Sequence, residues 1–210
     1  MFSLRRPAQA EVQEQLERAR KLTVSYGLDF RTEGGHEQVL CPRGFALDYS
    51  RSQIGEGRNT FAVAKEAFLR WLQFDLGWVR VANPDTPVKQ DEVVAVEVHT
   101  LGLWSLNWSR VLYVIDEEDR FGFVYGTTSM HVERGEERFL VEFYPVSGAV
   151  YYDLLAVSQP RHWLARLGYF FTRSRQKKFA RDSHRRMRRA IEETVSAAEK
   201  GSLASIHNIS

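Results

Sequence analysis

The sequence predicts an α+β protein in which a curved antiparallel sheet of about six to seven strands packs against one long C-terminal helix. Two observations support this class. Strand patterns follow one another between Glu92 and Ser158 with short links, and short links favour antiparallel pairing because parallel strands need long crossover connections. A helical pattern then covers Arg161–Lys200, and this helix is the natural cover for the apolar face of the sheet.

The composition is that of one globular domain. The chain has 210 residues, of which 43% are hydrophobic and 27% are charged, enough for one full-sized core. We expect an N-terminal helical extension (1–22), a single domain (23–200) and a frayed tail (201–210). Cys41 is the only cysteine, so an internal disulfide is excluded and a reducing, cytoplasmic location is expected. Neither a signal peptide nor a membrane span is expected, because no apolar run approaches ~20 residues.

The part of the chain before the strands is predicted to hold two helices. The first covers Glu11–Leu22, and irregular backbone follows over Thr23–Tyr49, where glycine and proline punctuate the sequence. The second begins after Gly55-Glu56-Gly57, with Asn59 or Thr60 as its N-cap. Its apolar side chains recur at helical spacing: Phe61, Ala64, Phe68, Trp71 and Leu72.

Six strands are predicted after the second helix. A short strand covers Trp78–Val81 and precedes a loop that contains two prolines. The other strands cover Glu92–His99, Trp108–Ile115, Phe121–Thr128, Glu137–Tyr144 and Ala149–Ser158. Asp116-Glu117-Glu118-Asp119 is predicted to form one tight turn and Pro145-Val146-Ser147-Gly148 another, and Pro160 is predicted to end the final strand.

Motifs spread over the chain resemble one uncharacterised family. Two of them are Gly55-x-Gly57 with Phe61, Ala64, Ala67 and Trp71, and Gly102-Leu103-Trp104-x-x-Asn107-x-x-Arg110-Val111. The others are Gly122-Phe123-x-Tyr125-Gly126-Thr127, followed by His131, Glu133, Gly135, Glu136, Glu137 and Phe139, and then Ser158-x-Pro160. Taken together, from about Leu22 to Ile191, the chain is similar to uncharacterised protein family 0548.

This resemblance implies a fold rather than a reaction. It implies the helix-grip fold of the START-like, pollen-allergen-like superfamily, in which many members hold an apolar ligand between sheet and helix. The family is itself a domain of unknown function, so the resemblance supplies no activity. Before the histidine the family usually has Leu-Pro-Gly, whereas this chain has Thr128-Ser129-Met130. The backbone of that loop is therefore expected to differ.

A polar insert between two predicted strands supplies the candidate catalytic residues. The candidates are His131, Glu136 and Glu137, since histidine titrates near neutral pH and a carboxylate orients its ring in acid–base catalysis. The alternative is a structural polar loop whose carboxylates bind backbone amides and arginines. Adjacent residues of a strand point to opposite faces, so at most one of the two glutamates faces a cavity.

The inward-facing residues of the sheet are predicted either to close a dry core or to line a ligand pocket. If a pocket exists, its predicted ligand contacts are Tyr125, Thr127, His131, Arg110 and Tyr152. No metal site is predicted, because the spacing of His99, His131 and Glu133 matches no established ligand pattern. Gly55-Glu56-Gly57 lacks the lysine of a phosphate-binding loop, and no cofactor is predicted.

Positive charge is concentrated in the predicted C-terminal helix. Residues 161–190 hold eleven Lys and Arg residues and one acidic residue, although the whole chain has a net charge of +2. The residues proposed for an anionic surface are Arg173, Arg175, Lys177, Lys178, Arg181, Arg185 and Arg186. A solvated helix face is the alternative. No base-reading motif is present, so sequence-specific nucleic-acid binding is not expected.

Three functions are consistent with these features. The preferred hypothesis is a binding module that holds a small apolar or amphipathic ligand between the sheet and the C-terminal helix. The second is an enzyme that uses the same pocket with His131 as general acid or base. The third is an interaction protein whose basic helix docks on an anionic surface. The sequence settles neither the ligand nor the oligomeric state.

Overall fold

One antiparallel sheet organises the chain, in a computed structural model that describes the backbone of residues 2–160 and 169–207 and the side chains of residues 2–159 and 174–197. Its strands are β1 (Phe2–Ser3), β2 (Ala46–Glu56), β3 (Val79–Val81), β4 (Val93–Thr100), β5 (Leu103–Asp116), β6 (Arg120–Thr127), β7 (Glu133–Phe143) and β8 (Ala149–Pro160). Their order is β2-β8-β7-β6-β5-β4-β3, and β1 pairs with β5. The predicted fold class, a curved antiparallel sheet with a long C-terminal helix, is confirmed.

The helices of the described residues are α1 (Gln9–Ala19), α2 (Gly57–Leu69) and α3 (Tyr169–His207), with 3₁₀ turns at His36–Gln38 and Leu72–Phe74. The predicted C-terminal helix is thus present from Tyr169 onward, whereas its residues 161–168 lie outside the described residues. Helical backbone continues to His207, past Gly201, where we expected the tail to begin. Residues 208–210 of that tail lie outside the described residues.

The sequence prediction missed β2, which was assigned partly to irregular backbone. This strand pairs along its length with β8, but its sequence shows no clear apolar alternation. The inward side chains of Ser50 and Ser52 hydrogen-bond to the ring of His184 on α3 instead of filling the core. Hydrophobic periodicity cannot detect a strand whose inward face is polar.

The predicted N-cap of α2 is also wrong, because the helix begins earlier than expected. Glu56 is the residue that precedes its first turn, and Gly57 is the first helical residue. The left-handed φ of Gly57, +85°, turns the chain directly from β2 into the helix. Thr60 lies inside the first turn, where its hydroxyl donates to the carbonyl of Glu56 at 2.6 Å.

An aromatic core fills about half of the inner face of the sheet, under α2 and the 3₁₀ turn that follows it. Its fully buried rings include Phe68, Phe74, Phe121, Phe123, Phe139 and Tyr152. Phe68 and Tyr152 meet edge to face with ring centroids 5.3 Å apart, an arrangement that aromatic quadrupoles favour. These large side chains leave no room for a ligand in this half of the sheet.

The N-terminal part of the chain covers the outer face of the sheet. Helix α1 buries Val12 and Leu16 against Trp108 of β5, and the segment 23–45 places Phe30 against Leu155 of β8. Gly126 of β6 is required where this segment crosses, because a Cβ atom there would lie 2.2 Å from the hydroxyl of Tyr26. The sheet is therefore covered on both faces.

Helix α3 is attached to the inner face by a buried polar cluster. The hydroxyls of Tyr152 and Ser183 are hydrogen-bonded at 2.8 Å. His184 contacts Ser52 through Nδ1 at 2.8 Å and Ser50 through Nε2 at 3.0 Å. A neutral imidazole has one donor and one acceptor nitrogen, so this arrangement suits the uncharged ring. Burial, with repulsion from Arg188, lowers the pKa of His184 to about 4.

This cluster makes a prediction about stability in acid. The unfolded chain binds a proton at His184 near pH 6.5, whereas the folded protein resists it down to about pH 4. The stabilisation is therefore complete above pH 6.5, and about 3 kcal/mol is lost as the pH falls to about 4. Urea unfolding of the wild type and His184→Gln across this range measures it. We expect the two free energies of unfolding to converge with falling pH; a constant difference would contradict the prediction.

Candidate functional site

A cavity of about 390 Å³ lies between the inner face of the sheet and α3. It occupies the half of the sheet where the inward side chains are small. The small residues at these positions are Ser105, Thr127, Gly135, Ala156 and Ser158. The aromatic residues of the other half end at Tyr125 and Phe139, so the change in side-chain size along the strands creates the space.

The walls of the cavity are mainly apolar. Phe74 of the 3₁₀ turn and Trp78 stand on one side, and Phe179 of α3 closes over them. Phe74 and Phe179 are in contact, with ring centroids 5.6 Å apart. Strand β4 contributes Val96 and Val98. An enclosed apolar space with few polar groups is the usual form of a small-molecule site.

Gly135 forms part of the cavity floor at a bend in β7. Its φ of +145° lies outside the region that L-residues prefer. A Cβ atom would stand 1.9 Å from the carbonyl oxygen of Val157, so no side chain fits. Its N–H donates to Oγ1 of Thr127 at 3.0 Å. Glycine is required at this position because of the backbone conformation, and its lack of a side chain leaves the cavity open above it.

Glu137 lies at the inner end of the cavity and is hydrogen-bonded to Tyr125. The tyrosine hydroxyl donates to Oε2 at 2.6 Å. Burial raises the pKa of Glu137 to about 8; the bond from Tyr125 opposes the shift, and the charges of Glu133 and Asp48 add to it. The accessible surface of Glu137 opens into the cavity, so the carboxyl is removed from bulk water yet open to a ligand.

Glu136 points to the opposite face of the sheet. Its carboxylate accepts hydrogen bonds from Tyr26 at 2.8 Å and from Thr32 at 2.5 Å, both in the N-terminal segment. Burial raises its pKa, and these two hydrogen bonds oppose the shift. The predicted alternation of the two glutamates is confirmed, and the side chain that faces the cavity is Glu137.

His131 lies in the loop between β6 and β7 and lines the cavity. Its Nδ1 accepts a hydrogen bond from the N–H of Glu133 at 3.0 Å, so this nitrogen carries no proton. Nearby, Gln176 of α3 donates to Ser158 at 2.9 Å and to the carboxylate of Glu133 at 3.3 Å. These bonds connect the helix to the cavity rim.

Three of the five predicted ligand contacts line the cavity, and two do not. Tyr125, Thr127 and His131 line it. Arg110 is on the outer face, where its guanidinium donates to the carbonyls of Arg20 and Leu22 at 2.8 Å and fixes the end of α1. Tyr152 is fully buried in the aromatic core. Alternation alone does not distinguish a cavity from a packed core on the same face.

Sequence reasoning also missed cavity residues. Asn107 and Ser105 of β5 line the cavity, and the amide of Asn107 donates to the Ser105 hydroxyl at 3.1 Å. The alternating polar positions Ser105, Asn107 and Ser109 were the available signal, because polar residues on an inward face indicate something other than a dry core. Gln176 had no such signal, since it lies within a basic helix.

Some basic residues of α3 form ion pairs, and others face solvent. Arg186 binds Asp75 at 3.2 Å, and Lys178 pairs with Asp182 and lies over the ring of Trp78. Arg181 is 67% exposed, and Arg185 is also exposed. Arg175 and Lys177 line the cavity. The side chain of Arg173 lies outside the described residues.

Metal binding and membrane insertion each need a recognisable arrangement of residues in the part of the chain that the structure describes. In this part of the chain, no group of three or more His, Cys, Asp or Glu side chains is placed to hold a metal ion. No helix within the same residues is both long and apolar enough to cross a membrane.

Comparisons with known proteins identify the family. A family model described as a domain of unknown function (DUF1990) matches residues 30–186. A UPF0548 protein of Dictyostelium discoideum is 35% identical over 207 residues, covering 91% of this chain and 96% of that protein. A UPF0548 protein of Deinococcus radiodurans is 35% identical over 206 residues, covering 90% and 98%.

A crystal structure of human STARD10 is similar with a TM-score of 0.46 and 8% identity, covering 93% of this chain and 84% of that one. A likeness at this level carries no information about ligand or activity. The relatives confirm the resemblance seen in the sequence motifs: the chain belongs to the UPF0548 family and contains a DUF1990 domain.

Proposed function

We propose that the protein is a binding module that holds one small apolar or amphipathic molecule between the sheet and α3. The observation that carries this proposal is the cavity of about 390 Å³ with mainly apolar walls. Its volume falls within the range of about 300–1,000 Å³ that is usual for small-molecule sites. The small side chains of the strands keep it open while large aromatic residues fill the rest of the same face.

A few polar groups supply orientation within these apolar walls. The Tyr125–Glu137 pair lies at the inner end, and Asn107 and Ser105 lie along β5. In an apolar cavity each such group favours a ligand that satisfies its hydrogen bond, since an unsatisfied buried polar group is costly. An enzymatic role for His131 stays a hypothesis. The hydrogen bond to its Nδ1 comes from the backbone N–H of Glu133 and not from a carboxylate.

The exposed arginines of α3 favour a second candidate function, docking on an anionic surface. Arg185 faces solvent, and Arg181 does so although its Nε lies 3.9 Å from Asp182; Arg186 is less exposed and pairs with Asp75 at 3.2 Å. Exposed basic side chains clustered on a helix attract anionic lipid headgroups.

We also propose a cytoplasmic location, supported by the free, exposed thiol of Cys41.

Filling the cavity tests the principal proposal. Ala156→Leu adds volume at a lining position that is 8% exposed, and we expect at least a tenfold loss of affinity for Nile red, an uncharged apolar fluorophore. Fluorescence titration measures it, and thermal unfolding verifies that the variant is folded. Ala62→Leu, an exposed position on α2, is the matched control and should bind like the wild type. Equal binding by all three proteins would contradict the proposal.

Charge reversal tests the second candidate. Arg181→Glu combined with Arg185→Glu should weaken the affinity for phosphatidylserine vesicles, measured by sedimentation, by about thirtyfold or more, because each basic side chain contributes about 1 kcal/mol of attraction near such a surface. The control is Arg43→Glu combined with Arg70→Glu, which makes the same charge change at exposed positions outside α3. Binding that is unaffected by salt, or equally reduced in both variants, would exclude a specific role for the helix.

A further inference from the structure

At its inner end the cavity presents the carboxyl group of Glu137, which forms no ion pair with a side chain that the structure describes. Tyr125 donates to Oε2 of Glu137, and this is the hydrogen bond that Glu137 makes among the described residues. The side chain is open to the cavity, so Oε1 is available to a ligand. A carboxyl group in apolar surroundings normally gains a partner of opposite charge or a set of hydrogen-bond donors.

Several titratable groups lie around Glu137. Glu133 on its own strand and Asp48 on β2 both act to raise its pKa. From β6 it meets the hydroxyl of Tyr125. The other titratable groups that line the cavity are Tyr49 of β2, Glu136 of β7, His131 in the β6–β7 loop, and Arg175 and Lys177 on α3. None of these last three is hydrogen-bonded to Glu137 among the described residues.

Aromatic rings complete the surroundings of this carboxyl group. Phe74 stacks on Tyr125 with ring centroids 6.2 Å apart, and Phe179 lies 5.6 Å from Phe74. All three rings line the cavity. The faces of aromatic rings attract cations, most strongly where water is excluded. A carboxyl group beside such rings suits a positively charged ligand group.

We propose that the cavity binds an amphipathic amine whose ammonium group pairs with Glu137 while its alkyl body lies along the apolar walls. This inference rests on the proposed function and names its ligand class. A carboxylate or phosphate end would gain no ion pair from Glu137, whose ionised form would repel it. An alcohol would make one hydrogen bond with Glu137 but would form no ion pair.

The pairing has a measurable consequence for protons. In the free protein burial raises the pKa of Glu137 to about 8, so the carboxyl group is mostly protonated at pH 7. An ammonium group within contact distance favours the carboxylate and lowers that pKa. Binding of an amine at neutral pH should therefore release close to one proton, whereas binding of an alcohol should release none.

Calorimetric titration with three probes of equal chain length tests the inference: n-decylammonium, n-decanol and n-decanoate. We expect the wild type to bind the amine at least tenfold more tightly than the alcohol, and the carboxylate most weakly. Titrations in two buffers of different ionisation enthalpy count the protons released. Glu137→Gln should lose both the preference for the amine and the proton release while its affinity for the alcohol changes less than threefold.

Two further variants guard against a purely structural effect. Glu133→Gln makes the same change at the rim, where Gln176 donates to the carboxylate, and should keep most of the amine preference. Tyr125→Phe removes the hydrogen bond to Glu137 but retains the carboxyl group, and it should keep both the preference and the proton release. Equal binding of amine and alcohol by the wild type, without proton release, would overturn the inference and leave the proposed function standing. Failure of every probe to bind would contradict both.

Discussion

The attachment of α3 to the sheet is the interaction on which the candidate site depends. His184 with Ser50 and Ser52, and Ser183 with Tyr152, fix the middle of the helix against β2 and β8. Because each of these bonds includes the short side chain of a serine, the helix lies close to the sheet there. Further along, Gln176 bonds to Ser158 across the cavity rim. The cavity is the space that remains between these two sets of bonds.

The same face of the sheet serves two purposes, and side-chain size separates them. Under α2, large aromatic residues such as Phe123 and Phe139 close a dry core. Under the first described turns of α3, Gly135 and Ala156 leave the sheet bare. The dry core supplies stability in proportion to its buried apolar area. The half with small residues contributes less to stability, and this is a common cost of a binding site.

Much of this fold was predictable, because it follows from local patterns. Strands β4 to β8 are rich in β-branched and aromatic residues, and their short links leave antiparallel pairing as the natural arrangement. Strand β2 was not predicted, because its inward serines hydrogen-bond to His184, which is distant in sequence. The division between core and cavity could not be predicted from the sequence pattern, because it depends on which helix covers each position. Glu137 could be proposed from alternation, whereas Arg110 was misplaced because its carbonyl partners lie in the N-terminal extension.

Strand β7 carries both the cavity carboxyl group and the anchor of the N-terminal segment, at neighbouring positions. Glu137 faces inward, and Glu136 faces outward to Tyr26 and Thr32. A slip of one residue in the pairing of this strand would exchange the two side chains, since successive residues point to opposite faces. An insertion or deletion in the β6–β7 loop is therefore tolerated only if it leaves the register intact. Loop length is therefore free to vary only where the register of β7, and with it the separation of Glu137 from Glu136, is kept.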